Sequence, residues 1–345
     1  MGLALPGRPR WDGNLLLFSG GREFGYIMRE KESSMGRKKI AIIGGGQIGG
    51  VLTLIAAQKE LGDLVVIEIP EKEGYAKGKA IDIMQMTPHD GFDAKIEATS
   101  DWSAIKGSDV VIVTAGVPRK PGMTRDDLLG VNLKIIQNVV DAVKKYCPNA
   151  FNIVLTNPLD AMVYAFYKIS GFPKNRVVGM AGALDTARFR AFVAEAAGVS
   201  VQDVAATVMG GHGPTMVPLP RLCTIGGVPL DHFLSKEKVD AICKRTAEAG
   251  TEIVKLLANG SAFFSPAGSA AEMAEAYLKD KKRVLPCAAL CEGEYGVQGL
   301  FIGVPVIIGA GGVEKVIEVK LDDQEKAMLA KTIEAVKKTT EETKI

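Results

Sequence analysis

This sequence lacks long apolar runs, has no marked excess of charge of either sign, and has few cysteines. No stretch approaches the roughly 18 apolar residues that a membrane-crossing helix needs, so no membrane span is expected. The 42 Lys and Arg are nearly matched by 40 Asp and Glu, and no cluster of basic residues is interleaved with aromatics. That balance gives no broad positive field, so no nucleic-acid partner is expected. Cysteines are scattered at 147, 223, 243, 287 and 291, an odd count without disulfide spacing, which suits a reducing, cytoplasmic compartment. Cys287 and Cys291 form a C-x3-C, but Ala288, Ala289 and Leu290 fill it and no histidine is near in sequence. They read as buried apolar thiols rather than metal ligands, and no metal is expected. What remains, 345 residues of which 47% are hydrophobic and 24% charged, is enough for one or two ordinary cores.

Residues 1–35 are a different kind of sequence. They show no sustained period, mix both charges, and lack the basic start, apolar core and small-residue cleavage site of a secretion signal. They are expected to be a disordered or non-native extension. From Lys38 onward, short β-branched runs (KKIAIIG, LVVIEI, DVVIVTAG, NIVLTNP) alternate with segments of helical period. Helices are expected over 47–61, over 127–146 with Leu128, Val131, Ile135 and Val139 facing the core, and over 235–258. The alternation predicts an α/β fold, a doubly wound parallel sheet of Rossmann type over 36–157. After about residue 158 the pattern changes to longer helices and a Gly/Pro-punctuated apolar stretch, which predicts an α+β substrate-binding and catalytic domain over 158–345. No linker separates the halves, so a shared cleft is expected.

The first chemical motif is Gly44-Gly45-Gly46-Gln47-Ile48-Gly49. Gly44 allows a tight turn, Gly46 lets the backbone approach a pyrophosphate, and Gly49 lets a helix pack closely on the preceding strand. Such a loop alone is weak evidence, but this one follows an apolar strand, opens a helix, and is followed at the end of the next strand by Glu68. An acid there suits the adenosine ribose hydroxyls and repels a ribose phosphate, which favours NAD over NADP. Gly74–Lys79 has the wrong spacing for a P-loop and runs into Ala80.

The second motif sets Asp185 and Arg188 three residues apart in ALDTARFRAFVAEAAG, on one face of a helix that Phe189, Phe192, Val193 and Ala196 would pack. Alone, such a pair is more often a surface ion pair. His212 alters that reading: it stands in Gly210-Gly211-His212-Gly213-Pro214, where small neighbours let an imidazole meet a substrate, while His89 and His232 have no such setting. An aspartate that sets its tautomer makes His212 a credible general base. Arg119 and Arg125 in AGVPRKPGMTRDDL add two more guanidinium groups, which hold carboxylates in planar, bidentate pairs. Together with the dinucleotide loop, these residues describe a small dicarboxylate whose hydroxyl loses a proton as a hydride leaves.

In GGGQIG, AGVPRKPGMTRDDL, TNPLD, GALDTARFR and GGHGPTMVPL, taken in order over nearly all of the chain after residue 35, the sequence resembles the lactate/malate dehydrogenase family, most closely its bacterial, lactate-dehydrogenase-like malate branch. The resemblance implies His212 as proton acceptor, Asp185 as its orienter, Arg188 as the clamp on the substrate carboxylate, and Arg125 as the group polarising the reacting oxygen. It further implies Asn157 on that oxygen and near the nicotinamide, and Arg119 as the residue that selects the substrate. Gly44, Gly46, Gln47, Ile48, Gly49, Glu68, Asn132, Thr156 and Asn157 would hold NAD. The segment from Gly116 to about Gly130 would be a lid, and a homo-oligomer, dimer or tetramer, is implied. Pro214 stands where the family usually has aspartate, and Glu68 replaces a more frequent aspartate. Ala262, where lactate enzymes tend to have threonine, leaves room for a four-carbon acid. The alternatives are a lactate or other 2-hydroxy acid dehydrogenase, another nicotinamide oxidoreductase, and a non-catalytic dinucleotide-binding protein.

Overall fold

Residue-by-residue alternation along the strands decides the architecture. The computed structural model describes residues 36–117, 125–258 and 260–345, and the segment expected to be an extension, 1–35, lies outside them. Strands β1 (Lys39–Ile43), β2 (Asp63–Ile67), β3 (Ile96–Thr99), β4 (Val110–Val113), β5 (Phe151–Val154) and β6 (Val177–Gly179) are parallel and lie in the order β3-β2-β1-β4-β5-β6. Successive side chains leave a strand on opposite faces, and here both faces are apolar. Ile40, Ile42, Leu64, Val66, Val110 and Ile112 enter one core, while Ala41, Ile43, Val65, Ile67, Val111 and Val113 enter the other. Helices α1 (Gln47–Gln58) and α2 (Glu73–Asp90) cover the first face, and α3 (Arg125–Tyr146) and α4 (Leu159–Ser170) the second. Each β-branched side chain so buried contributes about 1.5–3 kcal/mol.

The parallel order thus runs beyond residue 157, to Gly179. Helix α5 (Gly182–Ala197) follows β6, and two small sheets come next: β7 (Val204–Ala205), β10 (Thr224–Ile225) and β11 (Val228–Pro229) form one, β8 (Val208–Met209) and β9 (Val217–Pro218) the other. They enclose a separate core of Phe189, Val193, Val208, Cys223, Leu230 and Ile242 under α5 and α6 (Lys236–Leu257). After α7 (Phe264–Leu278), the strands β12 (Arg283–Glu292), β13 (Gln298–Gly309) and β14 (Gly312–Val316) run antiparallel, as the Gly/Pro-punctuated stretch predicts. They form no separate sheet: Ala288 pairs with Gly179, and β12 to β14 extend the parallel sheet to nine strands. Helix α8 (Asp323–Glu341) closes the chain, its start held by a capping box between Asp322 and Glu325.

Two helical stripes differ from the expected ones. In α3 the buried residues among those described are Leu129, Asn132, Ile136, Val139, Val140, Ala142 and Val143, and Val131 is 37% exposed. The stripe beginning at Leu129 carries a polar residue and looks the poorer from spacing alone, but Asn132 is hydrogen-bonded where it is buried, which removes the cost. In α5 the expected Ala196 is exposed and Ala194 is buried instead. Helix α1 ends at Gln58, not Leu61, because Glu60 adopts a positive φ of 48°.

Candidate active site

In a doubly wound sheet ligands lie outside the carboxyl ends of the strands, where the strand order reverses. Here that point is between β1 and β4, and most of the motif residues hang from the ends of β1, β2, β4, β5 and β6. Gly44, directly after β1, turns with φ +107°, and a Cβ there would lie 2.8 Å from the backbone of Ala115. A Cβ on Gly49 would lie 1.9 Å from the Gly44 carbonyl oxygen, so α1 can seat on β1 only with glycine at this position. Around Gly46 the picture reverses: nothing lies within 4 Å of an added Cβ, and this residue caps α1 without any side chain on the helix N–H groups. Uncapped N–H groups at a helix start, beside open space, fit a pyrophosphate. Gln47 and Ile48, the first two residues of α1, are exposed and half-buried.

Side chains brace this loop from two sides. Glu68, at the end of β2, accepts hydrogen bonds from the N–H groups of Gly45 and Ile69, both at 2.9 Å. Lys79 of α2 donates to the Gly46 carbonyl at 2.7 Å and lies over the Tyr75 ring. Lys79 was not among the residues expected here; nothing in the spacing of α2 marks it. On the other side of β1, Thr114 donates to the Gly44 carbonyl at 2.9 Å. Buried Asn132 accepts from the Val117 N–H at 2.9 Å and donates to the Asn157 carbonyl at 2.7 Å, so α3 ties the segment after β4 to the segment after β5. Thr156 donates to the Ala115 carbonyl at 2.6 Å, and the Asn157 side chain remains exposed. Arg119 lies outside the described residues. Arg125 opens α3, but its side chain is likewise outside them.

The second motif is brought together as its spacing suggested. Asp185, in the first turn of α5, is 2% exposed, and one carboxylate oxygen lies 2.8 Å from Nδ1 of His212. Its other oxygen accepts from Nη1 of Arg188 at 3.2 Å. This is no surface ion pair: the Arg188 side chain is 11% exposed. Its Nε is buried with no hydrogen-bond partner among the described residues, which leaves guanidinium capacity for a carboxylate from outside. Burial pulls the His212 pKa down, but the charge of Asp185 and its hydrogen bond, aided by Asp160, outweigh it, and the net direction is up. With Asp185 as acceptor, Nδ1 carries the proton and the Nε2 lone pair is left for chemistry.

Three residues that hold this site were not anticipated. Asp160 of α4 accepts the His212 backbone N–H at 2.9 Å, and burial raises its carboxyl to about 6. Thr332 of α8 accepts the Gly211 N–H at 2.9 Å. Gly303 of β13 exchanges two backbone hydrogen bonds with Gly210, and a Cβ on Gly303 would lie 2.2 Å from the Gly210 carbonyl oxygen. Asp160 left a signal, an acid inside TNPLD directly after an apolar strand; Thr332 left none in an ordinary amphipathic helix. Ala262 lies between α6 and α7, half-buried.

Known proteins match this arrangement in sequence and in fold. A family model described as the lactate/malate dehydrogenase NAD binding domain matches residues 38–179, and one described as the lactate/malate dehydrogenase alpha/beta C-terminal domain matches residues 182–344. Malate dehydrogenase 1 of Anaeromyxobacter dehalogenans is 61% identical over 311 residues, 90% of this chain and 99% of that protein. Malate dehydrogenase of Myxococcus xanthus is 58% identical over 310 residues, again 90% of this chain and 99% of that one. Among solved structures, Cryptosporidium parvum malate dehydrogenase superposes with a TM-score of 0.86 at 50% identity, covering 89% of this chain and 99% of its own. Lactate dehydrogenase of the same organism, complexed with lactic acid and nicotinamide adenine dinucleotide, gives the same TM-score at 46% identity, covering 90% and 99%.

Proposed function

Because the chain belongs to the lactate/malate dehydrogenase family, we propose that it is an NAD-dependent malate dehydrogenase that interconverts (S)-malate and oxaloacetate. The observation that carries this reading is the Asp185 carboxylate, which holds Nδ1 of His212 at 2.8 Å and Arg188 at 3.2 Å in one buried cluster. In malate oxidation the C2 hydroxyl proton passes to Nε2 of His212 as the C2–H bond breaks with its electron pair. Bound NAD supplies the acceptor for that hydride. Asp185 fixes the tautomer and stabilises the imidazolium that forms. Arg188 pairs with the carboxylate next to the reacting carbon, and Arg125 with Asn157 stabilises charge on the reacting oxygen. Arg119 takes the distal carboxylate, which would be costly to bury without a cation.

The dinucleotide is held by the residues of 36–157, at Gly44, Gly46, Gln47, Ile48, Gly49, Glu68, Asn132, Thr156 and Asn157, and the acid–base groups by 158–345. Malate and lactate dehydrogenases superpose on this chain equally well, so fold does not choose between them; a cation at Arg119 favours the dicarboxylate. An assembly of two or four copies belongs to the same reading. It is supported by exposed apolar side chains on α2 (Tyr75, Ile81) and α6 (Val254, Leu256, Leu257), which one copy alone leaves in water. A cytoplasmic setting suits the buried thiols at Cys147, Cys223, Cys287 and Cys291. The test is NADH oxidation with oxaloacetate, with pyruvate and with no substrate. Oxaloacetate should be reduced far faster than pyruvate; equal rates, or none with either, would sink the assignment.

A further inference from the structure

The loop that carries His212 is held through two consecutive peptide N–H groups by acceptors of different kinds. Thr332 takes the Gly211 N–H with a neutral hydroxyl, and Asp160 takes the His212 N–H with a carboxylate. Holding a loop needs only an acceptor, as Thr332 shows. A carboxylate that is 8% exposed, with Oδ1 lacking a hydrogen-bond partner among the described residues, is an expensive way to supply one. The start of α4 favours an acid at this place, which makes the ionised form attainable, but it does not require the acid to face His212.

We propose that Asp160 is a positioning residue of the proton-accepting unit, a second carboxylate that fixes His212 through its backbone and, with Asp185, stabilises the imidazolium. The inference rests on the reading of His212 as proton acceptor. Among the described residues, the charged groups facing His212 are Asp185 and Arg188 on α5 and Asp160 on α4. Lys338 on α8 lines, with Asp160, His212 and Pro214, a cavity of about 260 Å³. Gly213 and Pro214, which follow His212, bring no charge of their own. Asp160 titrates at about 6, so its charge is present at neutral pH and fades below it. The negative charge of Asp160 and the positive charge of protonated His212 therefore stabilise each other.

The experiment is the pH profile of kcat/KM in both directions for Asp160→Asn, which keeps an acceptor for the His212 N–H and removes the charge. Oxaloacetate reduction needs protonated His212, so its activity falls as pH rises through the histidine pKa; malate oxidation rises over the same range. Losing a nearby negative charge should move both limbs to lower pH by about one unit. Thr332→Val is the control for loop position, and should lower kcat/KM without moving the limbs. Limbs that stay in place in Asp160→Asn, or move equally in Thr332→Val, overturn the proposal. If Asp160→Asn does not fold, Asp160→Glu carries the test, with the limbs in place and kcat lowered; a shift of about a full unit then overturns it. His212→Asn separates the two readings: if it is inactive while Asp160→Asn has unmoved limbs, only the role of Asp160 falls, and if it stays active the proton-acceptor reading falls as well.

Discussion

On the proposed reading, the nucleotide end of the site and its acid–base end are built in opposite ways. At the nucleotide end the working surface is backbone from one unbroken stretch, Gly44 to Gly49, and side chains serve it from behind, as Glu68 and Lys79 do. At the acid–base end the working groups are the side chains of Asp185, Arg188 and His212, from α5 and the 210–214 loop, and the loop is held by Asp160 of α4, Thr332 of α8 and the Gly210–Gly303 backbone hydrogen bonds. A backbone site has no room for a side chain where its neighbours press on it, as at Gly44 and Gly49, but is indifferent to most chemistry around it. A side-chain site is sensitive to single functional groups and to the charge of each.

Substitutions should therefore divide by end. His212→Asn should lower turnover by about 10²–10⁴-fold, with NADH binding, followed by fluorescence titration, unchanged. Weakened NADH binding with retained turnover would show that the ends are not separable. If Arg119 takes the distal carboxylate as proposed, Arg119→Gln removes one partner of a charge pair worth roughly 2 to 5 kcal/mol, so kcat/KM for oxaloacetate should fall about thirtyfold or more while that for pyruvate rises. A ratio of the two within about threefold of the parent would place the distal carboxylate elsewhere.

At the nucleotide end, Gly49→Ala forces a carbon against the Gly44 carbonyl and should cost about 1–3 kcal/mol of stability, read as a lower melting temperature without cofactor. Gly46→Ala meets open space and should melt like the parent without NADH, yet bind NADH more weakly. If both variants melt alike and bind alike, the glycines are serving only a turn. The smallest effect is expected at Glu68. Its charge should make NAD(H) preferred to NADP(H) by roughly ten- to a hundredfold, and Glu68→Gln should narrow that ratio by about tenfold. Comparable kcat/KM for the two cofactors in the parent would mean that the carboxylate, committed to Gly45 and Ile69, never meets the ribose phosphate.

The same division sets how much could be read in advance. The alternation of β-branched runs with helical periods yields the parallel sheet, because strand faces and helix stripes are written in local periodicity. The glycine spacing yields the nucleotide loop, because a turn, a close approach and a helix start are all decided within six residues. Asp185 and Arg188 are legible because a helix places residues three apart on one face. The sequence by itself thus determined the chemistry present and the elements that carry it. Only tertiary structure decided which chemistry meets. Val177–Gly179, too short to stand out as a strand, becomes the edge to which β12 to β14 attach. The α3 stripe shifts by one residue because Asn132 finds partners in two other segments. Asp160 and Thr332, 52 and 121 residues from the groups they hold, reach His212 and Gly211 because α4 and α8 cross the same loop. A hydrogen bond across such a separation leaves no periodic trace in the sequence, since it depends on where packed elements cross and not on any spacing within one of them.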